Sequence, residues 1–335
     1  MKKQMMMIVV AATCATTVFA QLTVLDRYTI PLNKKGATVG KLVVPDGRKS
    51  VLVKDEAGIF VLNEGVLSLK KNVSVAPGTP FSYVVTIQCG NEIKSFELVK
   101  DEFVHNKVIA HRGAWKHHGV HQNSTGSLRH AIDLGCEGSE FDVWLTKDGK
   151  VALNHDNDLD GMIVEKSDLA RLRTIPLENG EVIPTLEDYI ALIKTQNKTR
   201  LVLEFKSNKN GRAIALTDSA VNIVHRLKAQ AWVDYISFDY AAVKRVRELD
   251  PTAHIAYLTD DVPMDLLKAD GISGIDYHYS LFEKLPKLYE RARMLGLTIN
   301  VWTVNDEQRM KTFLEMNVDF ITTDEPALML QLIGK

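Results

Sequence analysis

Two carboxylates stand two residues apart in the segment "SEFDVWLTKDGKVALNHD": Glu140 and Asp142. On a strand, side chains two apart share a face, so both acids point one way while Phe141 and Val143 point the other. The segment "LVLEFK" repeats the anomaly with Glu204 and Lys206. Like charges crowded in a buried site repel and are poorly solvated, which is costly without a cation. Three carboxylates offer only oxygen donors, a set that suits a hard divalent cation such as Ca²⁺ or Mg²⁺. Zinc would more naturally recruit histidines. The competing explanation is an internal ion-pair network in which Lys206 neutralises one acid. Two such strands, rather than one, favour the metal.

Two histidines are placed to act beside these acids. His111 ends the apolar run "VIAHRG", and His155 closes the "VALNHD" segment. Cleaving a phosphodiester needs a base for the attacking oxygen and an acid for the leaving alkoxide, and two imidazoles suit both tasks near neutral pH. Arg112 can pair with a phosphate oxygen and Lys206 can add point charge. His117, His118 and His121 follow in a polar loop. Adjacent histidines at a loop tip are ordinarily solvated, so they are not expected to bind metal. His278 and Tyr257 are weaker substrate-binding candidates.

These residues need a scaffold that gathers strand ends. From residue 106 onward strands alternate with helical patterns, at 107–111, 138–143, 200–206, 233–238, 254–258, 271–277, 298–303 and 319–322. Eight βα units in that length fit an α/β TIM barrel, whose active sites lie at the C-terminal ends of the strands. No glycine-rich phosphate fingerprint follows the first strand, which argues against a doubly wound sheet. "WLTKDGKVAL" reads as a hairpin rising past the barrel rim and returning His155 and Asp156 toward the site. Residues 157–181 form an insertion on the same side.

Ahead of the barrel, residues 21–105 hold short Val- and Leu-rich runs broken by Asp-Gly, Glu-Gly and Pro-Gly, the pattern of a small antiparallel β-sandwich. This region carries no catalytic constellation, is faintly similar to cadherin-like or immunoglobulin-like modules, and leaves its partner unspecified. Residues 1–20, "MKKQMMMIVVAATCATTVFA", have a charged start, an apolar middle and small residues near the end. That is a signal-peptide pattern with cleavage after Ala20, implying an exported, periplasmic or extracellular protein; a lipid anchor at Cys14 is the weaker alternative. No later stretch is expected to span a membrane. Of three cysteines, Cys89 and Cys136 remain after cleavage, and no disulfide between them is expected. With 41 basic and 42 acidic residues the net charge is -1, and no basic patch suggests nucleic acid.

"VIAHRG", "SEFDVWLTKDGKVALNHD", "IPTLEDYI", "LVLEFK", "INVWTVN" and "FITTDEP" together resemble the glycerophosphodiester phosphodiesterase family across residues 107–326. The resemblance implies a phospholipase C-like barrel that converts deacylated phospholipids to sn-glycerol 3-phosphate and an alcohol with Ca²⁺ or Mg²⁺. By the same resemblance His111 and His155 are catalytic, and Glu140, Asp142 and Glu204 bind metal. Arg112 and Lys206 contact phosphate, Trp302 flanks the substrate, and Asn123 is retained near the phosphate. Two departures stand out. Gln122 occupies a place where the family often has Glu, and Leu159-Asp160-Gly161-Met162 stands where it often has Asp-Arg-Thr-Thr. Both bear on substrate choice more than on catalysis. A phospholipase D-like or cyclising enzyme and a non-catalytic binding protein are the alternatives; the second would have lost a histidine or a carboxylate, and all are present.

Overall fold

The computed structural model describes residues 22–44, 47–206 and 211–335; the signal-peptide expectation lies outside the described residues. Eight parallel strands close into a barrel: Val108–Ala110, Gly138–Leu145, Arg200–Phe205, Val233–Ser237, Ile255–Tyr257, Gly274–His278, Thr298–Trp302 and Phe320–Thr323. Each pairs with the next, and the first pairs with both the second and the eighth. All eight fall in the expected order, with ends shifted by up to three residues at the start of the sixth strand.

Closure buries the strands on both faces, so the eight residues of Gly138–Leu145 are all buried, acids included. Parallel register sets Asp142 beside Glu204, while Glu140 faces Val202 one step down. Gly138–Leu145 outruns its barrel neighbours and pairs antiparallel with Val151–Leu153, Val143 opposite Leu153. This is the expected hairpin. Asn154 N–H then donates to Asp142 O at 3.2 Å, which brings the chain back to the carboxylates just before His155.

The insertion after His155 folds onto the hairpin instead of arching over the mouth. Leu159, Val164, Leu172 and Leu177 bury a small core against Trp144 and Ala152. Helices around the barrel start on side-chain caps: Ser124 with Ser127, Thr185 with Asp188, and Asp239 alone.

The N-terminal region forms two four-stranded sheets. Val24–Leu25 joins one and Thr29–Ile30 the other, so the opening segment switches sheets within a few residues. The expectation of a purely antiparallel sandwich needs one correction: Thr29–Ile30 runs parallel to Glu92–Lys100. This region docks on the loops that lead into the barrel strands. Leu22 N–H donates to Leu249 O at 3.1 Å, Thr252 Oγ1 to Leu25 O at 2.8 Å, and Asn197 Nδ2 to Lys100 O at 3.1 Å. It therefore sits at the barrel's N-terminal end, opposite the strand ends that carry the acids and histidines. Cys89 and Cys136 are free and buried, and burial pushes the Cys136 thiol up to about 12.

Candidate active site

At the C-terminal mouth, ligand atoms of Glu140, Asp142 and Glu204 lie within 4.8 Å of one another, and all three side chains are buried. Their environments divide them. Burial and the charges of Asp142 and Glu204 raise the pKa of Glu140 well above the ordinary carboxylate range. Burial and Asp142 push Glu204 up to about 8. Asp142 stays below its ordinary value: burial raises it, but Lys206, His155, Asn123 and Arg112 together outweigh that. Lys206 Nζ lies 2.6 Å from Glu204 Oε1 and 3.1 Å from Asp142 Oδ1. One ammonium thus serves two of three acids.

Glu140 Oε1 is buried without a hydrogen-bond partner, although its Oε2 accepts from Arg112 N–H at 2.8 Å. A free oxygen beside two further carboxylates, with one nearby lysine, is a donor set short of positive charge. A hard divalent cation fits it. The ion-pair explanation accounts for Lys206 and leaves Glu140 unexplained.

Both histidines line the same cavity of about 160 Å³ as Glu140, Glu204 and Lys206. Each is oriented by a carboxylate. His111 Nδ1 is 2.6 Å from Asp324 Oδ1, and His155 Nδ1 is 2.8 Å from Asp156 Oδ1. With Nδ1 engaged, Nε2 is the nitrogen each ring can offer to a ligand. Burial lowers the pKa of His155, while Asp142 opposes the shift. Asp324 is itself held by Asn305 Nδ2 at 2.7 Å and stays below its usual pKa: burial raises it, and the His111 and Asn305 bonds more than offset that.

The turn after the first strand is built for close approach. Arg112 adopts a left-handed backbone (φ 58°), rare for a non-glycine residue, and this directs its N–H at Glu140. Gly113 follows at φ 80°, and a Cβ there would lie 2.4 Å from Ser127 Oγ, so only glycine fits. The Arg112 guanidinium reaches Gln122 Oε1 at 2.8 Å and Asp142 Oδ2 at 3.8 Å.

Other expected residues take different places. Asn123 does not line the cavity: its Nδ2 donates to Asp142 Oδ2 at 2.8 Å and its Oδ1 accepts from Asp142 N–H at 3.0 Å. It fixes a carboxylate from behind instead of facing a phosphate. Trp302 lines the cavity wall with Nε1 donating to Asp276 O at 2.9 Å. His278 packs edge-on to Trp302, its Nδ1 turned to Ser280. Tyr257 is buried against Tyr240 with its hydroxyl on Asp261, away from the cavity lining. His117 is exposed beside Glu325, and His118 packs on His130, apart from the acids.

Sequence reasoning missed Asp324, Asn305, Phe238 and Asp276. Asp324 lies within the quoted "FITTDEP" and directly after the last barrel strand, which was the available signal. Nothing local, however, pairs it with a histidine 213 positions away.

A closed parallel barrel with carboxylates, a lysine and two carboxylate-held histidines at its C-terminal mouth defines a barrel hydrolase whose site is made for an anionic ester. The sequence model of the "Glycerophosphoryl diester phosphodiesterase family" matches residues 111–328, and the chain belongs to that family. It is an enzyme, a phosphoric diester hydrolase. It is 28% identical over 245 residues to a glycerophosphodiester phosphodiesterase of Caldanaerobacter subterraneus subsp. tengcongensis, covering 68% of this chain and 98% of the relative. A crystal structure of a glycerophosphodiester phosphodiesterase from Parabacteroides distasonis superimposes with a TM-score of 0.66 at 39% identity, covering 69% of this chain and 98% of that one. An Oleispira antarctica phosphodiesterase, solved with the product sn-glycerol-3-phosphate, shares the fold with a TM-score of 0.60 at 24% identity, covering 68% and 97%.

Proposed function

We propose that this protein is an exported, divalent-metal-dependent phosphodiesterase that converts glycerophosphodiesters to sn-glycerol 3-phosphate and an alcohol. The observation that carries this reading is the meeting of two carboxylate-held histidines and three buried acids in one cavity. The bound product of the Oleispira antarctica relative supports the substrate class.

Glu140, Asp142 and Glu204 would hold Ca²⁺ or Mg²⁺, which when bound would neutralise charge on a phosphate oxygen. Arg112 contributes a guanidinium that donates to the neutral Gln122 and lies 3.8 Å from Asp142, from where it can pair with the diester. His111 and His155 share acid and base duty through Nε2. One takes the proton of the attacking oxygen and the other supplies a proton to the leaving alkoxide. Asp324 keeps the His111 ring in one orientation and stabilises it when charged. Direct attack by water and attack by the glycerol 2-hydroxyl both fit this pair. Trp302 gives the glycerol carbons an apolar surface. Export rests on the pattern of residues 1–20.

The test is release of glycerol phosphate from glycerophosphocholine, glycerophosphoethanolamine and glycerophosphoinositol, each with Ca²⁺, Mg²⁺ or EDTA. Release with a cation and its loss in EDTA is the expected result. No release from any diester with either metal would sink the substrate reading, and undiminished release in EDTA would sink the metal.

A further inference from the structure

The mouth has two unlike halves. Strands eight, one, two and three bring Asp324, His111, Glu140, Asp142, Glu204 and Lys206. Strands four to seven bring Phe238, Leu258, His278 and Trp302. Phe238 and Trp302 meet edge to face, ring centroids 5.6 Å apart, and Phe238 as a residue remains 46% exposed. A large apolar side chain left open inside a catalytic cavity is a surface awaiting a ligand.

The sixth strand sets one carboxylate among these apolar groups. Asp276 is 2% exposed, lines the same cavity as Phe238 and Trp302, and is not one of the three clustered acids. Its Oδ1 is buried with no hydrogen-bond partner. The Trp302 indole donates to the Asp276 main-chain oxygen at 2.9 Å, which ties the aromatic wall to the strand that carries this acid. Burial pushes the Asp276 carboxyl up to about 7, with Asn300 opposing. A buried carboxyl oxygen without a partner is costly, and such groups are retained where something else completes them.

We propose that Asp276 is a specificity residue whose Oδ1 accepts a hydrogen bond from a hydroxyl of the substrate's glycerol, while the glycerol carbons lie against Trp302 and Phe238. This rests on the glycerophosphodiester reading above. An apolar wall with one acceptor beside it matches a short polyol, which presents C–H on one side and O–H on the other. A diester without hydroxyls would gain the wall and leave Asp276 unpaired. Sites built to bond a substrate hydroxyl discriminate strongly against analogues that lack it.

The test compares glycerophosphocholine with bis(p-nitrophenyl) phosphate, which has no hydroxyl, for wild type, Asp276→Leu and Asp276→Asn. Asp276→Leu should lower kcat/KM for glycerophosphocholine by roughly tenfold to a hundredfold, mainly through KM, with little change on the hydroxyl-free diester. Asp276→Asn keeps an acceptor oxygen and should recover most of the loss. Equal losses on both diesters would assign Asp276 to electrostatics or packing, and no loss on glycerophosphocholine would remove it from the site; either overturns the proposal. If the leucine variant does not fold, Asp276→Ala, which adds no bulk, carries the same comparison, and an unchanged kcat/KM for glycerophosphocholine or equal losses on both diesters would overturn the proposal. Wild type inactive on every glycerophosphodiester would instead remove the substrate reading itself.

Discussion

The two ends of the barrel are built on opposite principles. At the C-terminal mouth three buried acids crowd together, Glu140 Oε1 and Asp276 Oδ1 lack partners, and Arg112 holds a left-handed backbone. At the N-terminal end, where the β-region docks, Gln230 Oε1 is also unpaired, but the buried acid is met by the chain itself. Asp250 is 3% exposed yet bonds His225, Thr252 and Ala253, and Thr252 passes the contact on to Leu25. One end leaves its crowded acids short of partners for a ligand to come, and the other satisfies its buried acid internally. Substitutions should therefore separate cleanly: activity without stability at the mouth, stability without activity at the base.

The largest effect is expected at the mouth. His111→Ala and Glu140→Ala should each lower kcat/KM by roughly two to four orders of magnitude. The melting midpoint of Glu140→Ala should hold or rise, because a repelled, buried carboxylate is gone. Steady-state kinetics paired with thermal melting decides it. Near-normal activity in either variant would refute the site assignment, and a collapse of the fold would erase the contrast between the ends.

Next comes Asp324→Asn. It leaves His111 in place and removes the charge that fixes its tautomer and stabilises its imidazolium. A fall in kcat of roughly tenfold to a thousandfold is expected, with KM little changed. A loss confined to KM would mean that Asp324 serves binding and not the histidine.

How far the sequence could foresee this division follows from where each signal lies. Glu140 and Asp142 were readable because period two on one strand puts them on one face, and Glu204 because its strand repeats the anomaly. The eight barrel strands were readable from their apolar runs and the helical patterns between them. Asp324 was not, since its meaning arises only when the eighth strand closes beside the first. Asp276 was hidden for a related reason: "GIDYHYS" reads as a strand with one acid, and only closure shows that acid to be buried with an oxygen unpaired. Asn123 was assigned to phosphate by likeness, and its amide instead spans Asp142 from behind. The parallel pairing of Thr29–Ile30 escaped because a two-residue strand leaves no periodicity to read.

At the base, Asp250 should give stability an acid-sensitive limb. Burial raises the Asp250 pKa, but the His225 bond and charge and the Thr252 contacts outweigh it, so the folded value lies below the ordinary one. A depressed carboxylate contributes stability that is present above its unfolded pKa and lost as pH falls through its folded pKa. Melting midpoints should thus drop as pH is lowered from about 5 toward 3, and Asp250→Asn should flatten that part of the profile. An unchanged acid slope in the variant would show that other carboxylates carry it.

The smallest expected effect is the most direct probe of the docked β-region. Thr252→Val preserves shape and removes one hydroxyl, which lies 2.8 Å from both Leu25 O and Asp250 Oδ1. Leu25 is fully buried, so its carbonyl has little access to replacement water. The loss should be about 1 kcal/mol of stability. Because Thr252 precedes the fifth strand, at the end away from His111 and His155, kcat and KM should stay at wild-type values. Denaturant unfolding with parallel kinetics measures both. A single transition shifted to lower denaturant, with activity unchanged, means that the β-region and barrel unfold together through this seam. A first transition appearing ahead of an unshifted barrel transition means that the β-region is a separately stable unit merely resting on the base. A change in kcat would break the separation between the two ends.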